Sequence, residues 1–464
     1  MLRIGAIPGA NKELARLEDL RGKVDFGFQA TNTTGSEPTR ICNLVLQGGG
    51  VLGLAHVGFI CGMEKAGYRF AGVAGTSAGA IVATGIVCVR SGRVEAEVGE
   101  ELLRIVDSMP MSDFVDGPSD LRALINHVAA GGKLFSLRNL PAIVHAAFRV
   151  IWKRGLNPGV AFEEWLQGTF ARYGVRSNRQ LVDILSDTHQ RLIALGISRP
   201  KTPQQVIKEN EDLQRELGDT KMFPADASIL DDERAEQKVP PETTDVEALA
   251  PKFRTEEVDW LRVIASAMPS GVKFYFPRDL KNLDSSYMAR SPAVFVRASM
   301  SIPAFFEPRY LRSHPINWSK RVDAQLNRLA SEGQRKDFKS TNPIAFVDGG
   351  LFSNLALDAF DGIQGVPTVA LTLVDWADSR RYQYQSTLPG LFRDIYGLFD
   401  AVRLQRDRDA WDQQQGNSDV QLVEVDTSGL NWLNFNLSDE EKADLFLRGL
   451  KRARSFLESL RRTP

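Results

Sequence analysis

Cysteine and histidine are both scarce in this chain of 464 residues, with three of the first and five of the second. Cys42, Cys61 and Cys88 show no Cys-x-x-Cys spacing and each sits in an apolar pattern, so they read as buried free thiols in a reducing compartment rather than as a disulfide framework. The His and Cys spacing offers no zinc site and there is no calcium-loop pattern, so no metal and no other cofactor is expected. An excess of one charge is lacking too: 57 Lys and Arg stand against 58 Asp and Glu. A balance that close gives no reason to expect nucleic acid as a partner. Repeats are absent. Residues Met1 to Arg40 contain no long apolar run followed by a small-residue cleavage site, so no secretory signal is read there. Ala71 to Val89 is uncharged and approaches the roughly 20 residues that span a bilayer. It contains Gly72, Gly75, Thr76, Ser77, Gly79, Thr84 and Gly85, however, and divides into a short strand and a helix that a covered parallel sheet would bury. The chain is therefore expected in the cytoplasm, free or peripheral at a membrane.

What is present is 43% apolar residues, enough for a large core. Ile41 to Leu46 is an apolar run without strict alternation, as in a strand covered on both faces, and Leu54 to Ala66 is helical in pattern and stops at Gly67. Phe70 to Ala74 gives a second strand and Ala78 to Val89 a second helix. Strand and helix alternating over short connections imply an α/β fold with a parallel-rich central sheet and helices on both faces. From Val94 to Arg172 the pattern is mainly helical. Strands are expected again at Lys273 to Phe276, Ile344 to Val347, Thr368 to Val374 and Val420 to Val425. Ser438-Asp439-Glu440-Glu441 fits a capping box that opens a helix running toward Leu460.

Two turns in the first strand-helix units carry chemistry. Gly48-Gly49-Gly50 ends the first strand, and consecutive glycines let a backbone approach another group with its N–H groups exposed at a helix start, which suits an anion. Gly75-Thr76-Ser77-Ala78-Gly79 has the spacing of a nucleophile elbow, where a sharp turn needs small neighbours to expose the hydroxyl. A serine nucleophile needs a base. None of His56, His127, His145, His189 and His314 follows Asp348, as a Ser-acid-His order using that acid would require, although an acid earlier in the chain would leave His314 available. Asp348 itself, in Phe346-Val347-Asp348-Gly349-Gly350, puts a carboxylate at a strand end beside two glycines.

These blocks together resemble the patatin-like phospholipases, whose pattern has a Gly-Gly-Gly-x-x-Gly loop, a G-x-S-x-G elbow and a later Asp-Gly-Gly in this order. Gly48 to Gly53, Gly75 to Gly79 and Asp348 to Gly350 match the three. Arg297 to Pro308 looks like the block preceding the aspartate, and Asn354 fits the asparagine after it. The resemblance implies Ser77 as nucleophile and Asp348 as base in a Ser-Asp dyad, with the oxyanion held by the glycine loop (Gly48, Gly49, Gly50 and Gly53) and with Gly75, Gly79, Gly349 and Gly350 as support. It further implies a lipid acyl hydrolase, of phospholipase A or lysophospholipase type, working through an acyl-enzyme. An acyltransferase using the same dyad and a lipid- or partner-binding protein without turnover are the other readings. An aspartate of pKa about 3.9 is a poor base for a hydroxyl, so an apolar site is expected around Asp348. Two positions depart from the pattern: Leu52 stands where an Arg or Lys is common, and Ala356 where a proline is common.

The resemblance spans roughly residues 41–375 and defines the expected catalytic domain, preceded by a leader over residues 1–40 and followed by a mainly helical region over 376–464 packed on it. Residues 201–257 carry 15 acidic and 8 basic side chains and recurrent prolines, which reads as a polar insertion or cap. Its charge is −7, leaving +6 on the remainder. An acidic segment is repelled by anionic lipid and the remainder attracted. Leu134 to Arg154, apolar with Lys133, Arg138, Arg149, Lys153 and Arg154 interleaved or flanking, is the expected contact with a membrane surface, where acyl-lipid substrate resides; its other reading is a core-facing helix.

Overall fold

The computed structural model describes residues 2–30, 39–129, 139–197, 254–314, 343–375, 405–430 and 437–461, apart from positions 269, 362, 364, 406, 413 and 415. Lys133, Arg138 and nearly all of the polar insertion lie outside the described residues.

The strands are β1 (Phe28–Ala30), β2 (Thr39–Leu46), β3 (Tyr68–Thr76), β4 (Gly155–Asn157), β5 (Leu261–Met268), β6 (Val272–Phe276), β7 (Ala304–Phe306), β8 (Arg309–Leu311), β9 (Ile344–Asp348), β10 (Thr368–Val374) and β11 (Val420–Asp426). Besides the single turn Thr255–Val258, the α-helices described are α1 (Ala10–Glu18), α2 (Gly53–Lys65), α3 (Ala78–Arg90), α4 (Gly99–Asp107), α5 (Ser119–Ala129), α6 (Leu140–Trp152), α7 (Val160–Arg172), α8 (Asn178–Ala194), α9 (Ala293–Ser299) and α10 (Asp439–Arg461). The expected α/β class is the observed one: a largely parallel central sheet flanked by helices. β11, β10, β2, β3 and β5 are neighbours in that order and run parallel, while β9 and β6 pair antiparallel with β5, β8 with β9, and β1 with β2. β4 and β7 form a separate parallel pair. Every residue of β3 is buried, and so is nearly every residue of α2 and α3, which explains why these segments read as continuous apolar runs rather than as amphipathic ones.

The sheet continues past residue 375, with β11 pairing along the full length of β10. The helix expected near the C-terminus is present and opens on the anticipated capping box: Glu441 N–H donates to Ser438 Oγ (3.1 Å) and Ser438 N–H to Glu441 Oε2 (2.7 Å). α10 crosses α2 backbone to backbone. A Cβ on Gly58 would overlap the Phe446 carbonyl, and one on Gly449 the Ala55 carbonyl, so the close crossing requires both glycines. It seats the helix that follows the glycine loop against the C-terminal part of the chain.

Strand β5 was not anticipated. Leu261–Met268 contains Arg262 and the three small residues Ala265, Ser266 and Ala267, with Val263 and Ile264 its only β-branched pair, yet it is buried at every position but the last. Its register organises the site. Val73 to Thr76 of β3 pair with Leu261 to Ile264, and Asp348 back to Ala345 of β9 pair with Ala265 to Met268. β6 pairs with Val263–Ala267 and so takes the other edge of β5. β3 and β9 therefore meet end to end on one edge, their C-terminal ends opposite the consecutive residues Ile264 and Ala265, about 3.3 Å apart along the strand.

Candidate active site

Ser77 stands in the turn between β3 and α3 with φ 54° and ψ −120°, a left-handed conformation rare for a residue with a side chain. The flanking glycines are required by contact. A Cβ on Gly75 would overlap the Gly79 carbonyl, and one on Gly79 the carbonyl of Leu46 in β2, so the helix can leave the strand this sharply only with hydrogen at both positions. The N-terminus of α3, a 13-residue helix, begins beside Ser77, and its dipole favours negative charge there.

Asp348 ends β9, head to head with the end of β3. Its Oδ1 accepts from the N–H of Gly350 (2.7 Å), and a Cβ on Gly349 would overlap the Ile264 carbonyl, so this turn too needs glycine to close on β5. Ser77 and Asp348 are 5% and 4% exposed, a nearly dry setting for both.

The segment at the end of α9 spans the two. Ser299 Oγ donates to the Ile264 carbonyl (2.5 Å) and accepts from Ser77 N–H (2.9 Å); the Ser301 carbonyl accepts from Asp348 N–H (2.9 Å). Between them, Met300 Sδ receives the Ser77 hydroxyl at 3.0 Å. The dyad expected from the sequence is thus brought to one place, but among the described residues the Ser77 hydroxyl is directed at Met300 and not at Asp348. A thioether is a weak acceptor, so little holds the hydroxyl in that rotamer. Arg297 fixes the segment from below: its buried guanidinium donates to the carbonyls of Gly159 (3.2 Å), Pro158 (2.8 Å) and Glu307 (2.9 Å) and to Ser301 Oγ (2.6 Å), and burial lowers its pKa to about 10.

In the glycine loop the four positions differ. Gly48 N–H is already donated to the Asn354 carbonyl (3.3 Å), and a Cβ there would come within 2.5 Å of Asn354 Oδ1 and 3.0 Å of Ser77 Cβ. Gly48 thus serves close packing beside the serine. Gly49 and Gly50 are partly exposed, Gly50 has φ 55°, and neither N–H is donated to a backbone or side-chain acceptor among the described residues. Gly53 begins α2, where a Cβ would meet Ala78 Cβ at an ordinary 3.6 Å, so packing does not require glycine there. Leu52 is 6% exposed in the core, so the missing cation is replaced here by apolar packing, and Ala356 is buried as well.

Sequence reasoning passed over the residues that hold this loop. Gln47, directly before the glycines, accepts through Oε1 from Thr372 Oγ1 (2.6 Å) and Leu373 N–H (2.8 Å) and donates through Nε2 to Asp407 Oδ2 (3.1 Å). Asp407 Oδ1 accepts from Leu355 N–H (3.0 Å), next to Asn354. Thr76 Oγ1 donates to the Ser353 carbonyl (2.9 Å). A polar residue closing the apolar run of β2 was the available signal for Gln47; Asp407, in a charged stretch far along the chain, offered none. His56 Nε2 lies 2.9 Å from the Gln47 carbonyl, which makes it the donor, and burial lowers its pKa to about 4, so it is a neutral strut and not a base. His314 makes its backbone bond to Asn282, and among the described residues no histidine is hydrogen-bonded to Ser77. No group of three His, Cys, Asp or Glu side chains that could hold a metal occurs among the described residues, and no described helix is long and apolar enough to cross a membrane. All three cysteines are free and buried.

The family described as patatin-like phospholipase matches residues 44–361, which is more than half of the chain, and the protein belongs to that family. Over 422 residues it is 24% identical to the uncharacterized protein YqhO of Bacillus subtilis (strain 168), covering 89% of this chain and 97% of the relative. Among solved structures, VipD from Legionella pneumophila aligns over 96% of this chain and 73% of its own at 15% identity, with a TM-score of 0.33.

Proposed function

We propose that the protein is a lipid acyl hydrolase of phospholipase A or lysophospholipase type, with Ser77 as nucleophile and Asp348 as general base. The observation that supports this reading is the meeting of β3 and β9 on one edge of β5: Thr76, directly before the positive-φ Ser77, and the nearly buried Asp348 pair with the consecutive residues Ile264 and Ala265. In this reading the Ser77 hydroxyl leaves Met300 and turns to Asp348 by rotation about the Cα–Cβ bond. As Oγ attacks the ester carbonyl carbon of an acyl lipid, Asp348 takes its proton, and the carbonyl oxygen, now an oxyanion, accepts hydrogen bonds from the N–H groups of Gly49 and Gly50. Collapse breaks the ester C–O bond, and the leaving alcohol receives the proton from Asp348. Water then gives its proton to Asp348 and attacks the acyl-serine; fatty acid departs and Ser77 is reprotonated. Each oxyanion donor contributes about 3 kcal/mol in sites of this kind.

The test is turnover of a mixed phospholipid dispersion by purified protein, with fatty acid release measured beside labelling by a fluorophosphonate and mass identification of the labelled residue. Release together with a label on Ser77, both lost in Ser77→Ala, is expected. Undiminished release by a well-folded Ser77→Ala protein would refute the assignment.

A further inference from the structure

Helix α6 exposes an apolar stripe that the fold leaves uncovered among the described residues. Val144, Phe148 and Trp152, spaced four apart on one side of the helix, are 62%, 56% and 73% exposed, and the Phe148 and Trp152 rings are 6.0 Å apart. Of the six exposed large apolar side chains in the described residues, three stand on this one helix. Eight residues of helix extend the stripe over about 12 Å. The helix carries no carboxylate, and Lys153 and Arg154, both exposed, follow Trp152 directly. The nearby acids are otherwise engaged: Asp120 of α5 lies 2.8 Å from His145, and Glu307 holds Arg149 at 2.5 Å. Arg149 also donates to the Leu156 carbonyl (3.2 Å), so of the cations expected to face phosphate this one is spent inside the protein.

From these observations we infer that α6 is the element by which the protein docks on an anionic lipid surface, with Val144, Phe148 and Trp152 entering the interface and Lys153 and Arg154 meeting headgroup phosphates. The inference rests on the acyl-lipid reading of the active site for its purpose, not for its geometry. A single exposed stripe ending in tryptophan and then two cations fits the boundary layer of a bilayer, where the ring sits at headgroup level and basic side chains reach phosphate. The helix is also joined to the site. The chain leaves α6 into β4, which pairs with β7, Gly155 with Ala304 and Asn157 with Phe306, immediately after the Ser299–Ser301 segment that touches Ser77 and Asp348. The Arg149–Glu307 ion pair closes the same connection from the helix side. Docking through α6 would therefore hold the lipid surface in fixed relation to the segment that crosses the serine.

The experiment is co-sedimentation of the full chain, carrying Ser77→Ala so that lipid is not consumed, with vesicles of equimolar phosphatidylcholine and phosphatidylglycerol, beside vesicles of phosphatidylcholine alone. Phe148→Ser combined with Trp152→Ser should lower the partition coefficient on the order of tenfold on both vesicles. Lys153→Glu combined with Arg154→Glu should lower it roughly fivefold per charge on the anionic vesicles only, with the deficit shrinking as salt rises. Each set is also made with Ser77 intact, where turnover of a water-soluble short-chain ester should equal that of the parent and report the fold. Parental vesicle binding by the aromatic variant overturns the inference, as does a dimer of the parent that dissociates in that variant, since a second copy would then cover the stripe. Absence of ester turnover in the parent alongside stripe-dependent binding would sink the hydrolase reading and leave the docking surface standing.

Discussion

Replacing Ser77 by glycine tests whether the elbow stores strain. At φ 54° and ψ −120° a residue with a Cβ is held against its preference, a cost on the order of 1–3 kcal/mol. The position is fixed from all sides: Ser77 N–H is bonded to Ser299 Oγ at 2.9 Å, its carbonyl accepts from Ala80 at 2.9 Å, and Gly75 and Gly79 leave no room for the turn to relax. Glycine removes the strain, but it loosens the unfolded chain by about 0.4–1 kcal/mol and gives up about 0.8 kcal/mol of buried carbon. Compared with Ser77→Ala, which also lacks the hydroxyl but keeps the Cβ, Ser77→Gly should thus be slightly more stable, by about 0.5 kcal/mol from the middle of these ranges. The sign is the diagnostic. At an ordinary helical position such as Ala83, buried in the same α3, change to glycine costs about 1 kcal/mol or more. Urea unfolding of Ser77→Ala, Ser77→Gly and Ala83→Gly, read as midpoints at unchanged slope, measures all three. If Ser77→Gly proves less stable than Ser77→Ala by the amount Ala83→Gly loses, the elbow is not strained and the reasoning fails.

Asp348→Asn should keep the fold, since the amide oxygen can still accept from Gly350 N–H, and lower kcat by at least 10²-fold because it cannot take the serine proton; fatty acid release decides it. Asp407→Ala removes the acceptor of two bonds, from Gln47 and from Leu355, and should cost roughly 1–3 kcal/mol of stability while lowering kcat more than it changes KM. Unchanged kcat in a destabilised Asp407→Ala protein would leave Asp407 a purely structural residue. Glu64 caps α4 by accepting from Val98 and Gly99 N–H, both at 2.9 Å; burial nevertheless raises its pKa from 4.5 to about 7 against those two bonds. The folded protein then binds a proton the unfolded chain releases, so stability from this group is complete below pH 4.5 and is lost as pH rises through about 7. Relative to Glu64→Gln, the wild type should lose on the order of 2–4 kcal/mol across that window in urea titrations; parallel curves for the two proteins would refute the shift.

Much of the site could be read locally because its constraints are local. Gly75 answers to a backbone contact within its own strand-turn-helix unit, Gly79 to the adjacent strand β2, and Gly349 to a turn that must close on its neighbouring strand. Such needs restrict residue type at fixed spacing, and they leave a signature in the chain. The capping box at Ser438 and the mostly apolar runs of β2, β3 and α3 are legible for the same reason. The glycine loop shows where this ends. Gly48, Gly49, Gly50 and Gly53 look equivalent in the sequence, but one donates to Asn354, one starts a helix against Ala78, and the two between them keep N–H groups turned to no acceptor among the described residues.

By itself the sequence determined which residues can stand at the serine turn and at the Asp-Gly-Gly turn, because backbone sterics there admit little else. Tertiary structure alone decided that these turns face each other. The pairing is made by β5, whose Arg, Ser and Ala content carries no strand signal and whose burial comes from strands on either side. It likewise decided that Arg149 is spent on Glu307 while Trp152 stands out in solvent, and that Asp407 reaches across to brace Gln47. Those outcomes depend on partners more than 150 residues away in two cases, Arg149 and Asp407, and in the third on the absence of a packed neighbour among the described residues, and no local preference of the chain encodes either.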